Sequence, residues 1–196
     1  MIRNWLSITI ISGLTLAFIV LWDSPPTHFS TESVPDAVTT NSPSNTLTLA
    51  KTLSFNARGT LHYTVEATST EYFRINGKQA SREDYTNLSA PRLRLFQTSN
   101  TTPWHITSEY GQITDNGETI TLWGNTKVWK IDENQQRSEL ISERLVVKPE
   151  QQFVETDKAV MLTTTGSTTH AKGMHAYLKE DKIVLLSNVR GTYEFN

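Results

Sequence analysis

The chain has 196 residues, room for one ordinary domain and an appendage. Lys and Arg number 18 against 20 Asp and Glu, a net charge of −2, so the chain lacks the basic footprint of a nucleic-acid binder. Cysteine is absent, which excludes disulfides, thiolate metal sites and cysteine nucleophiles.

The first element is apolar. Trp5 to Trp22 reads WLSITIISGLTLAFIVLW, 18 residues without a charge. As a helix it would measure about 27 Å, near the roughly 30 Å of a bilayer core. Trp5 and Trp22 bracket it at headgroup level, and Arg3 ahead of it places the N-terminus in the cytoplasm. A cleaved signal peptide is the alternative. The run is longer than a usual h-region, and Asp23-Ser24-Pro25-Pro26 follows it in place of an A-x-A-like site. Residues 1–22 therefore read as a retained, single transmembrane helix. Residues 23–46, rich in Pro, Ser, Thr and Asn, read as a flexible linker, with Val34 to Val38 a weak edge-strand candidate.

From Leu47 the period is two, and residues 47–196 read as one all-β, antiparallel domain of many short strands. Leu47, Leu49, Leu53 and Phe55 alternate with polar residues, as do Leu61, Tyr63 and Val65. The same alternation holds at Leu93 and Leu95, Trp104 and Ile106, and Ile120 and Leu122. Arg58-Gly59, Asn76-Gly77, Asn116-Gly117, Gly124-Asn125 and Lys148-Pro149 read as turns. Three segments, Ser108–Val128, Ser142–Val160 and Ala171–Val189, repeat one pattern: strand, polar turn, strand, then a small residue with Asn or Asp. Leu122, Val154 and Leu185 correspond, at a period of about 32 residues that means stacked supersecondary units. Such a stack buries one continuous inner face. That face is a core if the walls close and a long apolar groove if they splay. Its end strands stay open to another chain.

The inward register gives thirteen candidate groove residues: Leu53, Phe55, Leu61, Tyr63, Leu93, Leu95, Trp104, Ile106, Ile120, Leu122, Val160, Leu162 and Ile183. The last strand, Ile183 to Tyr193, has no later segment to cover it, so Leu185, Val189 and Tyr193 are candidate partner-docking residues. Catalytic and metal sites are not expected. His28, His62, His105, His170 and His175 form no metal-ligand pair, and no nucleophile-elbow, P-loop or dinucleotide motif occurs. Arg92 and Arg94 share one strand face. They could meet lipid phosphates, although a solvated face explains them as well.

Anchor, linker and β domain together resemble the LptC family of lipopolysaccharide export proteins. The stretches that carry the resemblance are TLSFNARGTLHYTVEATSTEYF (Thr52–Phe73), PWHITSEYGQITDNGETITLWGNTKVW (Pro103–Trp129) and GMHAYLKEDKIVLLSNVRGTYE (Gly173–Glu194). The resemblance implies an inner-membrane protein with one N-terminal helix and a periplasmic, V-shaped β-jellyroll, and no enzyme activity or cofactor. It implies binding of lipopolysaccharide received from the LptB/LptF/LptG transporter and passed to LptA for outer-membrane assembly. LptA would add to the C-terminal strand edge. The transporter would meet the transmembrane helix and the N-terminal end of the β domain. Gly166 falls where the family has a glycine before two hydroxyl-type residues, a backbone position intolerant of a side chain and grouped with the docking end. The alternative is a cell-envelope structural or assembly factor that binds proteins through its strand edges.

Overall fold

The computed structural model describes residues 42–76, 79–97 and 100–193. The expected anchor at 1–22, Val34 to Val38 and most of the expected linker lie outside the described residues. Among the described residues, no helix is long and apolar enough to cross a membrane.

Among the described residues, eleven antiparallel strands form one sheet: β1 (Asn45–Phe55), β2 (Leu61–Phe73), β3 (Tyr85–Ser89), β4 (Arg92–Gln97), β5 (Asn100–Thr107), β6 (Tyr110–Thr114), β7 (Thr119–Ile131), β8 (Arg137–Lys148), β9 (Phe153–Thr164), β10 (Ser167–Tyr177) and β11 (Lys182–Tyr193). β1 begins two residues ahead of the expected domain start at Leu47. Among the described residues, β1 pairs only with β2, and β11 only with β10, so these two are the end strands.

Most strands are long, not short, because they pass through a bend without ending. β2 pairs with β4 at Tyr63–Glu66 and with β3 at Ser69–Phe73. β7 pairs with β6 at Thr119–Trp123 and with β5 at Lys127–Trp129. The register shifts between Trp123 and Thr126, between Ser142 and Val146, and between Lys172 and Met174. Left-handed backbone marks the same line at Leu49, Ala90, Gly124, Asn125, Gly173 and Asn188. Gly124-Asn125 is therefore not a turn: it is a bulge inside β7, where an extra residue bends the strand and ladder bonding resumes beyond it. The Thr156-Asp157 and Ser187-Asn188 counterparts also lie inside strands, in β9 and β11.

Along this line the sheet folds over into two walls. One inner row runs Val65, Leu93, Ile106, Val128, Leu140, Leu162. On the other wall, Leu88, Gly111, Leu122 and Leu145 form one row, and Ile120, Val147, Val154, Ala176 and Ile183 another. Both walls contribute to a single buried cluster. The internal repeat corresponds to three hairpins of the second wall, tipped by 3₁₀ turns at Asp115–Gly117, Pro149–Gln151 and Leu178–Glu180. Each tip carries a left-handed residue, respectively Asn116, Gln152 and Asp181. Ahead of β3, buried Asp84 accepts hydrogen bonds from Tyr72 Oη (2.6 Å), Ile75 N (2.9 Å) and Ser81 N (3.0 Å).

Candidate functional site

The interior is where the sequence places a groove. Leu93, Leu95, Trp104, Ile106, Ile120, Leu122 and Val160 are buried in the shared cluster, and Tyr63, Leu162 and Ile183 pack against it half-buried. Leu61, at the start of β2, is also half-buried. Ile106 and Leu122 are 0 % exposed, so between these side chains the walls are in packing contact and leave no open trough.

Leu53 and Phe55 do not join them; they are 48 % and 58 % exposed. Leu53 pairs with Thr64, whose row continues through Arg94 and His105 on the outer face. The reason is local. Leu49 adopts φ +54°, which reverses the inward side of β1, so beyond it Ala50 and Thr52 share the inner rows of Ala67 and Val65. Phe55 follows a register shift at the strand's end.

The docking candidates divide similarly. Val189 and Tyr193 are exposed on β11. Leu185 instead sits opposite buried Met174 and packs on the core, while its neighbour Leu186 faces out. Gly166 lies in the β9–β10 turn at φ +72°, a conformation that disfavours a side chain. On the outer face Arg94 donates to Glu66 Oε1 at 2.9 Å, so its charge is already paired. His105 stacks on Trp129 at 5.1 Å, and burial, with Arg94 and Arg137 nearby, holds its pKa below the ordinary histidine value.

The sequence reading missed a polar cluster where the tips of the two walls meet. Gln97 ends β4, Trp104 lies on β5 and Lys130 on β7; all three belong to the first wall. From the second wall, Asp181 Oδ1 accepts hydrogen bonds from Lys130 Nζ (2.7 Å), Gln97 Nε2 (3.0 Å) and Trp104 Nε1 (3.1 Å). Gln97 Nε2 also donates to the Leu178 carbonyl, and Gln152 Nε2 donates to the Phe96 carbonyl at 2.6 Å. Burial alone would raise the pKa of Asp181; the hydrogen bonds from Lys130 and Gln97, the Lys130 charge and the Trp104 bond outweigh it and lower the value. Beside this cluster opens a cavity of about 420 Å³, whose wall includes Trp104, Lys130, Leu162 and Ile183. A second cavity, of about 310 Å³, opens at the β1 end, lined in part by Leu47, Val65, Ala67 and Leu88. Among the described residues, no group of three or more His, Asp or Glu could hold a metal ion.

A folded-over antiparallel jellyroll, apolar inside and ending in two unlike strand edges, defines the class. A solved structure of the same fold is the one titled LptH, the LptA-homologous periplasmic component of the lipopolysaccharide transport device of Pseudomonas aeruginosa. It superimposes with a TM-score of 0.50 at 10 % identity, over 67 % of this chain and 94 % of that one, a likeness of fold alone. A search of curated proteins finds no match. The sequence profile of the lipopolysaccharide-assembly, LptC-related family matches residues 8–194. The chain belongs to that family; its role lies in lipopolysaccharide transport, and it is not an enzyme.

Proposed function

We propose that the chain receives lipopolysaccharide from the LptB/LptF/LptG transporter at the inner membrane, shelters its acyl chains between the two walls, and passes it to LptA. The anchor at 1–22, with its N-terminus in the cytoplasm, would hold the β domain on the periplasmic side. The observation that carries this reading is continuity. The apolar inner rows span the sheet, and each terminal strand presents an edge to which another β domain can add. LptA would pair with β11 near Val189 and Tyr193, and the transporter's β domains would meet β1 near Leu47 and Leu53.

A photo-crosslinking amino acid tests both halves. At Leu95 or Ile106 it is expected to label lipopolysaccharide in cells; at Leu53, Arg94 or His105, on the outer face, it should label little. At Val189 it is expected to capture LptA. Equal lipid labelling from both faces, or none from Ile106, would sink the lipid-carrying reading. A second reading draws on the packed state of the interior: the domain binds proteins through its edges and no lipid. It requires capture at Val189 with no lipid label at Ile106.

A further inference from the structure

Buried positions on the described strands are apolar or carry uncharged polar groups such as Thr126, Ser142 and Thr156, yet Lys130 occupies one two residues beyond buried Val128 on β7. Its side chain is 9 % exposed. An ammonium in that position must be paired to be tolerated, and every partner it has stands at the meeting of the wall tips. Its Nζ donates to Asp181 and, at 3.3 Å, to Gln97 Oε1, and lies 5.6 Å from the centre of the Trp104 ring. Asp181 is half exposed and held by the left-handed tip of the β10–β11 hairpin, so its carboxylate is presented to the opposite wall by one short turn. Leu95, paired with Trp104, and Leu178, whose carbonyl accepts from Gln97, adjoin the cluster and are buried. The 420 Å³ cavity beside it reaches Leu162 and Ile183, which pack on the core.

The two long sides of the interior thus differ in kind. One is the bend, crossed by continuous backbone. The other is crossed by side-chain hydrogen bonds between segments more than 50 residues apart, each of which water can replace. We propose that Asp181, Lys130, Gln97 and Trp104 form a latch across the mouth of the jellyroll, and that acyl chains enter sideways between the wall tips when it parts. This rests on the reading of the interior as the lipid-holding space. It adds a lateral route to passage along the strand edges, and assigns the latch residues a gating role. Asp181, Lys130 and Gln97 position the walls, while Trp104 also belongs to the inner lining.

The chain has no cysteine, so Gln97→Cys with Asp181→Cys places the only two thiols across the mouth. In full-length protein in detergent, with the photo-crosslinker at Ile106 and purified lipopolysaccharide as probe, labelling is followed before and after bridging with a short bis-maleimide. Circular dichroism verifies the fold of both forms. Bridging is expected to slow labelling about tenfold or more, the scale of losing one charge-assisted opening step. Lys130→Met, in the otherwise unaltered chain, is expected to speed it by a similar factor. Equal rates with and without the bridge, or no change in Lys130→Met, overturn the latch while leaving the lipid-carrying reading intact. No labelling in any form, unaltered chain included, overturns that reading and the latch with it.

Discussion

The bend and the mouth close the same interior by opposite means. At the bend, closure is a property of the backbone. Gly124 holds φ +76°, and a Cβ there would lie 2.9 Å from Glu109 Cβ. Gly173 holds φ +79° and is just as tightly covered, by Leu186. At the mouth, closure is a property of side chains: three gather on one carboxylate oxygen of Asp181, and Gln97 and Gln152 reach carbonyls of the opposite wall. The first cannot be exchanged with solvent, and the second can. A molecule that must keep its shape and still admit a ligand needs both kinds of closure, on different sides.

Substitutions sharpen that contrast. The largest loss is expected behind the bend: Leu122→Ala, at a site with no exposure, should cost about 3–4 kcal/mol by urea unfolding. Leu53→Ala, on the outer face, should stay within about 0.5 kcal/mol; a comparable cost at both would undo the assignment of faces. Next comes the bend itself. Gly124→Val combines left-handed strain with a steric clash and should cost about 2–3 kcal/mol. Gly117→Ala, at φ +95° with open space around it, carries strain alone and should cost about 1 kcal/mol. Equal costs would mean the bend tolerates side chains.

The mouth should yield less. Asp181→Asn keeps the shape and removes the charge, and with the carboxylate half exposed about 1 kcal/mol is expected. Acid is the smallest and most selective perturbation. Asp181 and Asp84 both titrate below the ordinary aspartate value of 3.8 in the folded chain. A carboxyl with a depressed folded pKa adds stability that is fully present above the unfolded value and is lost as pH falls through the folded one. Stability should therefore decline below about pH 4, with a shallower slope in Asp181→Asn and in Asp84→Asn. An unchanged slope in Asp181→Asn would show that the carboxylate is not held as described. Asp84 answers to different donors. Tyr72 Oη and the Ile75 and Ser81 amides serve it, so its replacement should loosen the backbone at Ile75 and Ser81 and leave the mouth closed.

How far the sequence could be read follows from the same geometry. Alternation around Leu93, Leu95, Trp104, Ile106, Ile120 and Leu122 places these side chains on the inner face because a strand's faces are two residues apart and nothing interrupts them there. The reading goes astray where the chain reverses its sides. One left-handed residue, Leu49, turns Leu53 outward, and a leucine in that conformation gives no sign of it in the sequence. Gly124-Asn125 has the composition of a turn and the position of a bulge, and only pairing partners on both sides of it tell the two apart. Leu185 and Leu186 are adjacent leucines on opposite faces. The latch was illegible for another reason. Gln97 and Asp181 are 84 residues apart, and a lysine in an alternating strand is ordinarily read as solvent-facing.

The bulge line has a further consequence, for the way the domain comes apart. β7, β8, β9, β10 and β11 each run through both walls, while β4 and β5 stay in the first and β3 and β6 in the second, so the walls share most of their long strands. Slipping one strand by a single residue would turn its side chains over in two places at once, doubling the cost of a register error. Melting one wall would likewise strip away half of each strand it shares with the other. The two walls should therefore unfold as one cooperative unit, with amide exchange at Leu122 and Val128, on either side of the Gly124 bulge, governed by the same global opening.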